Sequence, residues 1–441
     1  MYRTLSLPIF LFLATLLAPM PPVQSASPSA PNDFDCGVVN EISPDECKAL
    51  VALYTGVNGA SWTNHTGWAT TATPCSWFGV LCAGGHVVEL RLPNNGLSGD
   101  VPTNFGTLPF LLVLDLSDNA ITSLPAKIGE LTQLLVLGLR SNRLTTVTSK
   151  IGKLTQLVEL DLSGNGLTAF PGESSNLVNL LKLHLNHNAL VKLPAEIGNL
   201  IKLQELNLHQ NSLTQLPAEV GTLTKLLALR LHNNRLTTIP AEISHLHKLQ
   251  ELTLQNNQLT TLPLEVSKLN ELRIFTLSNN LGLTGALPDG WRDFTLMNTF
   301  WFDQTNLCEP QTSPFQSWLQ GIANVKRSGL TCLYTYTAAF TITTPGQLFT
   351  VIGTNFSQSQ PLSLRINGVD VGMIQSDEEG NFTVVLDSNA LPPGFYLAMI
   401  TDYREGAQLI IQPGAQSGVP ILTLPSNALW ADTLFLPVIN K

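Results

Sequence analysis

An asparagine returns every 23 residues along much of this chain. Asn119, Asn142, Asn165, Asn188, Asn211, Asn234 and Asn257 each follow L-x-x-L-x-L-x-x and precede x-[LI]. Asn95 and Asn280 extend the series at spacings of 24 and 23, and Thr305 takes the same slot 25 residues after Asn280. The unit from Leu203 to Leu226 shows what such a repeat can build. Leu206 and Leu208 alternate as in a short strand, one face in and one out. Asn211 closes the turn. A buried Asn has two donors and an acceptor, enough to satisfy bent backbone of neighbouring coils in a ladder. Leu213 and Leu216 carry the chain back over the core, and Pro217 ends the run. Val220 and Leu223, three apart, fit a turn of helix or 3-10 helix on the far side. No unit can bury its own apolar edge, so stability must come from stacking.

This period and pattern are the signature of a leucine-rich repeat solenoid. The predicted fold is α/β: about ten repeats from Leu90 to Leu307, with a parallel β-sheet on the concave face and a disulfide cap at each end. A small all-β sandwich is expected to follow. The architecture favours binding over catalysis.

Charged residues make up 12% of the 441-residue chain, hydrophobic residues 44%, and the net charge is −9. No run of Lys and Arg appears, which argues against nucleic-acid binding through phosphate neutralisation. Arg3 followed by the apolar stretch Leu5 to Leu17 reads as a secretory signal, with cleavage after Ala26. The alternative is a membrane anchor; the short run, broken by Pro8, argues against it. After cleavage no transmembrane segment is expected. Six cysteines agree with an oxidising compartment.

The cysteines, Cys36, Cys47, Cys75, Cys82, Cys308 and Cys332, lie outside the repeats. Their location favours Cys36–Cys47 and Cys75–Cys82 in an N-terminal cap and Cys308–Cys332 in a C-terminal one. A crossed pairing of Cys47 with Cys75 is the alternative. The segment Leu50 to Tyr54, then Asn58-Gly59, Ser61-Trp62, Gly67-Trp68 and Pro74-Cys75-Ser76-Trp77-Phe78-Gly79-Val80-Leu81-Cys82, resembles the N-terminal cap of plant-type extracellular leucine-rich repeat proteins. Leu97 to Pro102 and Leu283 to Pro288 match the L-x-G-x-[LIV]-P form of that class. The middle repeats, as in Leu193-Pro194-Ala195-Glu196-Ile197, instead resemble those of intracellular Ras-binding scaffold proteins. The resemblance spans about residues 36 to 332 and implies recognition of a protein, peptide or glycan. No kinase segment follows the repeats.

After Cys332 the pattern changes to period two. Phe340 and Ile342, Phe349 and Val351, and Leu362, Leu364 and Ile366 alternate with polar residues. Asn367-Gly368, followed by Val369 and Val371, is a strong hairpin signal. Phe382, Val384 and Leu386, then Tyr396, Ala398 and Ile400, continue the series. The segment resembles immunoglobulin-like modules of bacterial surface proteins, without the Cys–Trp–Cys set of true immunoglobulin domains. The chain thus reads as a bacterial secreted or surface protein. Residues 412–441 form a tail whose apolar end, Leu434 to Ile439, fits an edge strand or an address tag; L-P-x-T-G is absent. The expected division is 1–26 signal, 27–88 cap, 89–307 repeats, 308–334 cap, 335–411 sandwich and 412–441 tail.

No H-E-x-x-H, G-x-S-x-G, P-loop, G-x-G-x-x-G or C-x-x-C occurs, so no enzyme activity, metal or cofactor is expected. The outward positions of the strands remain. The candidate patch is His184, Asn186, His187, Asn207, His209, Gln210, Arg230 and His232. His209 and His232 are expected as strand neighbours, about 4.8 Å apart. Imidazoles here can bind a partner, switch with pH or be solvated filler. The mixture suits glycans or acidic peptide groups. Trp301, between inward Phe300 and Phe302, either faces out as an anchor or packs under the cap. Asn64-His65-Thr66, Asn355-Phe356-Ser357 and Asn381-Phe382-Thr383 match the glycosylation pattern. The function read from these features is a secreted or surface-attached recognition protein that binds on the concave face. A cell-surface spacer without a ligand and an inhibitor of a secreted enzyme are the alternatives.

Overall fold

The computed structural model describes residues 34–344, 347–354, 356, 361–388, 393–402, 407–414 and 421–423. The expected signal segment and the apolar end of the tail lie outside the described residues, as do Asn355 and Ser357 of the second sequon.

Twelve strands make one sheet. Val80–Ala83 runs antiparallel to His86–Arg91. From there all neighbours are parallel and, through the middle, in register with a shift of one repeat, so Leu160, Leu183, Leu206, Leu229 and Leu252 face one another in a row. Each middle strand has three residues, x-Leu-x, with the central Leu fully buried. The last strand, Asn324–Lys326, pairs with Thr299–Trp301. The cap therefore adds a rung beyond the final repeat, which the sequence pattern does not announce.

The return path of each repeat is a 3-10 turn, behind a proline in all but one, as in Ala218–Thr222 after Pro217; Ser149–Lys153 follows Thr148 instead. Pro fixes φ near its helical value and needs no backbone partner there. Val220 and Leu223 point inward and are fully buried. The turns on this side are bulkier than strands spaced about 4.8 Å apart, so the stack curves with the sheet on its inner, concave face.

The asparagines stitch the coils together. Asn211 Nδ2 donates to Leu208 O of its own coil at 3.0 Å and to Leu185 O of the preceding coil at 2.9 Å, while its Oδ1 accepts from Leu190 N at 3.0 Å. Asn119, Asn142, Asn165, Asn188, Asn234, Asn257 and Asn280 repeat this donation. Asn95 reaches Asn64 O in the cap. Thr305 is shorter: its Oγ1 donates to Phe302 O and accepts from Leu307 N, both within its own coil.

At the N-terminal end a helix, Pro44–Gly56, covers the first coil. Ser43 and Glu46 form a capping box at its start. Trp68 packs against Trp62, Trp77 and Tyr54. Disulfides join Cys36–Cys47 and Cys75–Cys82 here and Cys308–Cys332 at the other end. There the helix Ser313–Gly321 buries Phe315 and Leu319 over the last coil.

Residues from Tyr334 on form two four-stranded sheets with a common core that includes Phe340, Leu364, Ala398, Phe349, Val384 and Leu386. The strands Pro361–Ile366 and Val369–Gln375 make the hairpin at Asn367-Gly368, where both turn residues have positive φ, 45° and 84°. That is the two-residue turn an Asn-Gly pair favours. The second sheet runs past residue 411: Gln408–Pro413 and Ile421–Thr423 are its edges, and the latter pairs parallel with Phe382–Asp387.

Candidate functional site on the sheet face

The short strands put two side chains per rung on the concave face, one on each side of the central Leu. A third follows after the next Leu. The sequence reading took the second and third of these rows and missed the first: Glu159, Lys182, Glu205, Ala228 and Glu251. Those residues change the electrostatics of the patch. Lys182 Nζ lies 3.3 Å from Glu159 Oε2. Arg230 donates to both Glu251 oxygens at 2.7 Å and also to Glu205. It is therefore not the free cation that its place in the second row implies. Arg140, exposed, has no carboxylate partner among the described residues.

The histidines fall into two environments. His184 sits between acids: Nδ1 is 3.8 Å from Asp161 Oδ2 and Nε2 is 3.5 Å from Glu205 Oε1. Asp161 foremost, with help from Glu205 and Glu159, raises its pKa. Asp161 itself, which also accepts from Ser163 N and Oγ, is held below the usual carboxylate range. His187, His209 and His232 form a run of rings. His187 meets His209 edge-on at 4.9 Å, and His209 stacks on His232 at 4.4 Å. Burial, then the neighbouring imidazoles, push His209 down to about 4. Burial and Arg230 lower His232, whose Nδ1 lies 3.0 Å from Thr253 Oγ1.

His184, Asn186, His187 and Asn207 share a hollow of about 370 Å³ with Arg140, Ser141, Asp161, Ser163 and Gly164. Gly138, on the adjacent rung, lies close under the Asp115 and Ser117 side chains. Gln210 stands exposed at the turn beyond His209 with φ of 53°. Trp301 lies apart from this group, four strands beyond Asn207. Lys326 Nζ, from the cap strand, sits 3.7 Å from its ring centre. Phe300 and Phe302 on either side are fully buried.

Comparison with known proteins agrees with this architecture. A leucine-rich repeat region profile matches residues 171–279, leucine rich repeat profiles match 85–144 and 132–190, and a leucine rich repeat N-terminal domain matches 43–83. "Probable inactive receptor kinase RLK902" of Arabidopsis thaliana is 38% identical over 86 residues, 19% of this chain and 12% of that protein. The matched part is thus about an eighth of the relative's length. A leucine-rich repeat protein of Leptospira interrogans superposes with a TM-score of 0.51 at 34% identity, covering 54% of this chain and 60% of that one. The ectodomain of the plant membrane receptor kinase GASSHO1/SCHENGEN3 from Arabidopsis thaliana, solved with CASPARIAN STRIP INTEGRITY FACTOR 2, gives 0.51 at 28% identity. That likeness covers 58% of this chain and 35% of the receptor. The chain is a leucine-rich repeat solenoid with a plant-type N-terminal cap and an all-β C-terminal region.

Proposed function

We propose that this protein is a secreted or surface-attached recognition protein whose concave face binds a peptide or protein partner over the coils from Asp161 to His232. The observation that carries it is the hollow at His184 and Asn207. It gathers imidazoles, amides, one carboxylate and a guanidinium on a sheet too rigid to lose much entropy on binding. The likeness to receptor ectodomains, one solved with a bound factor, supports the same use of the face. Three disulfides and a cap of the extracellular type support a location outside the reducing cytosol. Among the described residues no helix is long and apolar enough to cross a membrane.

The test is paired substitution with a purified, identified partner. Alanine at Asn186, His187 and His209 should weaken binding, while alanine at Lys202, Glu219 and Lys225 on other surfaces should leave it unchanged. Loss with the second set alone would reject the concave-face reading. Small, equal effects from both would favour a spacer.

A further inference from the structure

Buried polar side-chain atoms nearly always find partners. Among the described residues four on the concave face do not: Trp301 Nε1, which lies apart, and His184 Nε2, Asn207 Oδ1 and His209 Nδ1. The last three are neighbours. His184 and Asn207 face each other across adjacent strands, and His209 follows two residues after Asn207.

All three are hydrogen-bond acceptors when the rings are neutral. The Nδ1–H of His184 faces Asp161, which leaves Nε2 as a lone pair. His209 donates toward Gln210, which leaves its Nδ1 likewise open. The ring tautomers and the orientation of Asn207 are assigned from these surroundings. Of the carboxylates around His184, Glu159 and Glu205 are paired with Lys182 and Arg230, and Asp161 is the one that lines the hollow. What is missing there is a donor, and Asp161 favours a positively charged one. Arg140 lines the same hollow, from strands two and three coils away from those of His184 and Asn207, but hydrogen-bonds none of the three atoms.

Resting on the concave-face reading above, we infer that the hollow receives a cationic N–H donor of the partner, the ammonium or guanidinium of a basic peptide segment. An ammonium brings three donors and a guanidinium five, enough for the open acceptors of His184 and Asn207, which line the hollow, while His209 stands just outside its lining. Charge-assisted bonds of this kind are about twice as strong as neutral ones. This reverses the acidic partner that the histidines and arginine suggest when read from sequence, because Arg230 is already neutralised by Glu205 and Glu251.

A proton competes for the same acceptor. When His184 is charged, its Nε2–H points a donor toward Glu205 and repels an incoming cation. His187, His232 and Arg230 border the site on the other side, and protonating the first two adds to the repulsion. Binding of a cation therefore strengthens as pH rises and levels off once His184 is neutral.

Four capped peptides test the idea with the full chain by isothermal calorimetry from pH 5.5 to 8.5: acetyl-trilysine amide, acetyl-triarginine amide, triglycine amide with a free N-terminus, and acetyl-triglutamate amide. One of the three cationic probes is expected to bind, which identifies ammonium side chain, guanidinium or chain end as the source. Its affinity should fall about tenfold in N207A, the effect of losing one charge-assisted bond, and rise in N207D. H184Q, with an unchanged fold by circular dichroism, should bind with its dependence on pH flattened. Cationic binding unaffected by N207A would mean attraction to the net charge alone and would overturn the inference. So would a preference for triglutamate, although triglutamate binding lost in H187A would leave the concave-face reading standing. No binding of any probe at millimolar concentration would mean that ordered water fills the acceptors, and would overturn it as well.

Discussion

The imidazoles of His209 and His232 stack on adjacent strands with ring centres 4.4 Å apart and planes within 13° of parallel. No carboxylate offsets the charge that a proton would bring, and Arg230 adds to the repulsion at both rings. A stack like this is stable while both rings are neutral.

Its consequence is a dependence of stability on pH. His209 falls to about 4 in the fold against a reference of 6.5. Between those values the unfolded chain binds the extra proton, so the fold loses stability as pH drops through that window. His184 has the opposite sign. Its folded pKa is raised, so its contribution is present below 6.5 and is lost as pH rises through the folded value. Histidine NMR titrations should place His209 well below His184. In H209Q the thermal midpoint should decline less between pH 6.5 and 4 than in the unchanged protein. A His209 that titrates at or above its reference value would reject the stack as the cause.

The ladder predicts which asparagine substitutions are costly. Asn211→Leu removes the acceptor of Leu190 N and one of the two donors to Leu185 O and to Leu208 O, which keep Asn188 and Asn234, so Leu190 N is the group left stranded between coils. The expected loss is about 1–3 kcal/mol per stranded group. The side chain of Asn233, one residue before the ladder position of its coil, accepts only from Asn256 at the surface among the described residues. Its replacement by Gly, which holds the φ of 57° without strain, should cost less than about 0.5 kcal/mol. Urea unfolding of the two variants decides. Equal effects would mean that the ladder contributes no more than surface polarity does.

Much of this was legible in the chain. Leu at fixed offsets defines the core because a strand buries alternate residues and a 23-residue coil returns them to the same place. The three disulfides and the Asn-Gly hairpin follow from local chemistry in the same way. The pairings on the open face were not legible. Arg230 and Glu205 lie 25 residues apart, and both flank Leu residues in strands only three residues long. With so short a strand the outward side chains on both sides of the Leu matter, and a reading that starts at the first outward residue after it misses the acidic row. The final strand Asn324–Lys326 was hidden for a related reason. It has no repeat signature, and only its pairing with Thr299–Trp301 reveals that Lys326 covers Trp301.

That acidic row sets a third expectation. Arg230, Glu205 and Glu251 are each between 20 and 28% exposed, so their attraction is screened less than at an open surface. Arg230→Met leaves two half-buried carboxylates facing each other. A loss of roughly 1–2 kcal/mol is expected, more than for an exposed pair. A double-mutant cycle with Glu205→Gln should return part of it, since the second substitution removes one of the stranded charges. Additive losses would mean that the two residues act independently.

The coil after Pro171 carries the last prediction. Where its neighbours place Ile151, Ile197 and Val220, this coil has Ser174, 2% exposed, with Oγ donating to Pro171 O at 2.6 Å. Where others place Val147, Leu193 or Leu216, it has Phe170, 4% exposed. One inward residue is larger and the other smaller, and both belong to the same turn of chain. The expectation is that Phe170 fills part of the space Ser174 leaves, since cores tolerate exchange best when volume is kept. Ser174→Ile alone should then overfill the site and destabilise by about 1–3 kcal/mol, although it restores the repeat pattern. Phe170→Leu alone should open a cavity and also destabilise. The double variant should recover most of the loss, with a coupling of about 1 kcal/mol or more in denaturant melts. If Ser174→Ile alone stabilises the protein, the side chains do not share this space and the compensation does not exist.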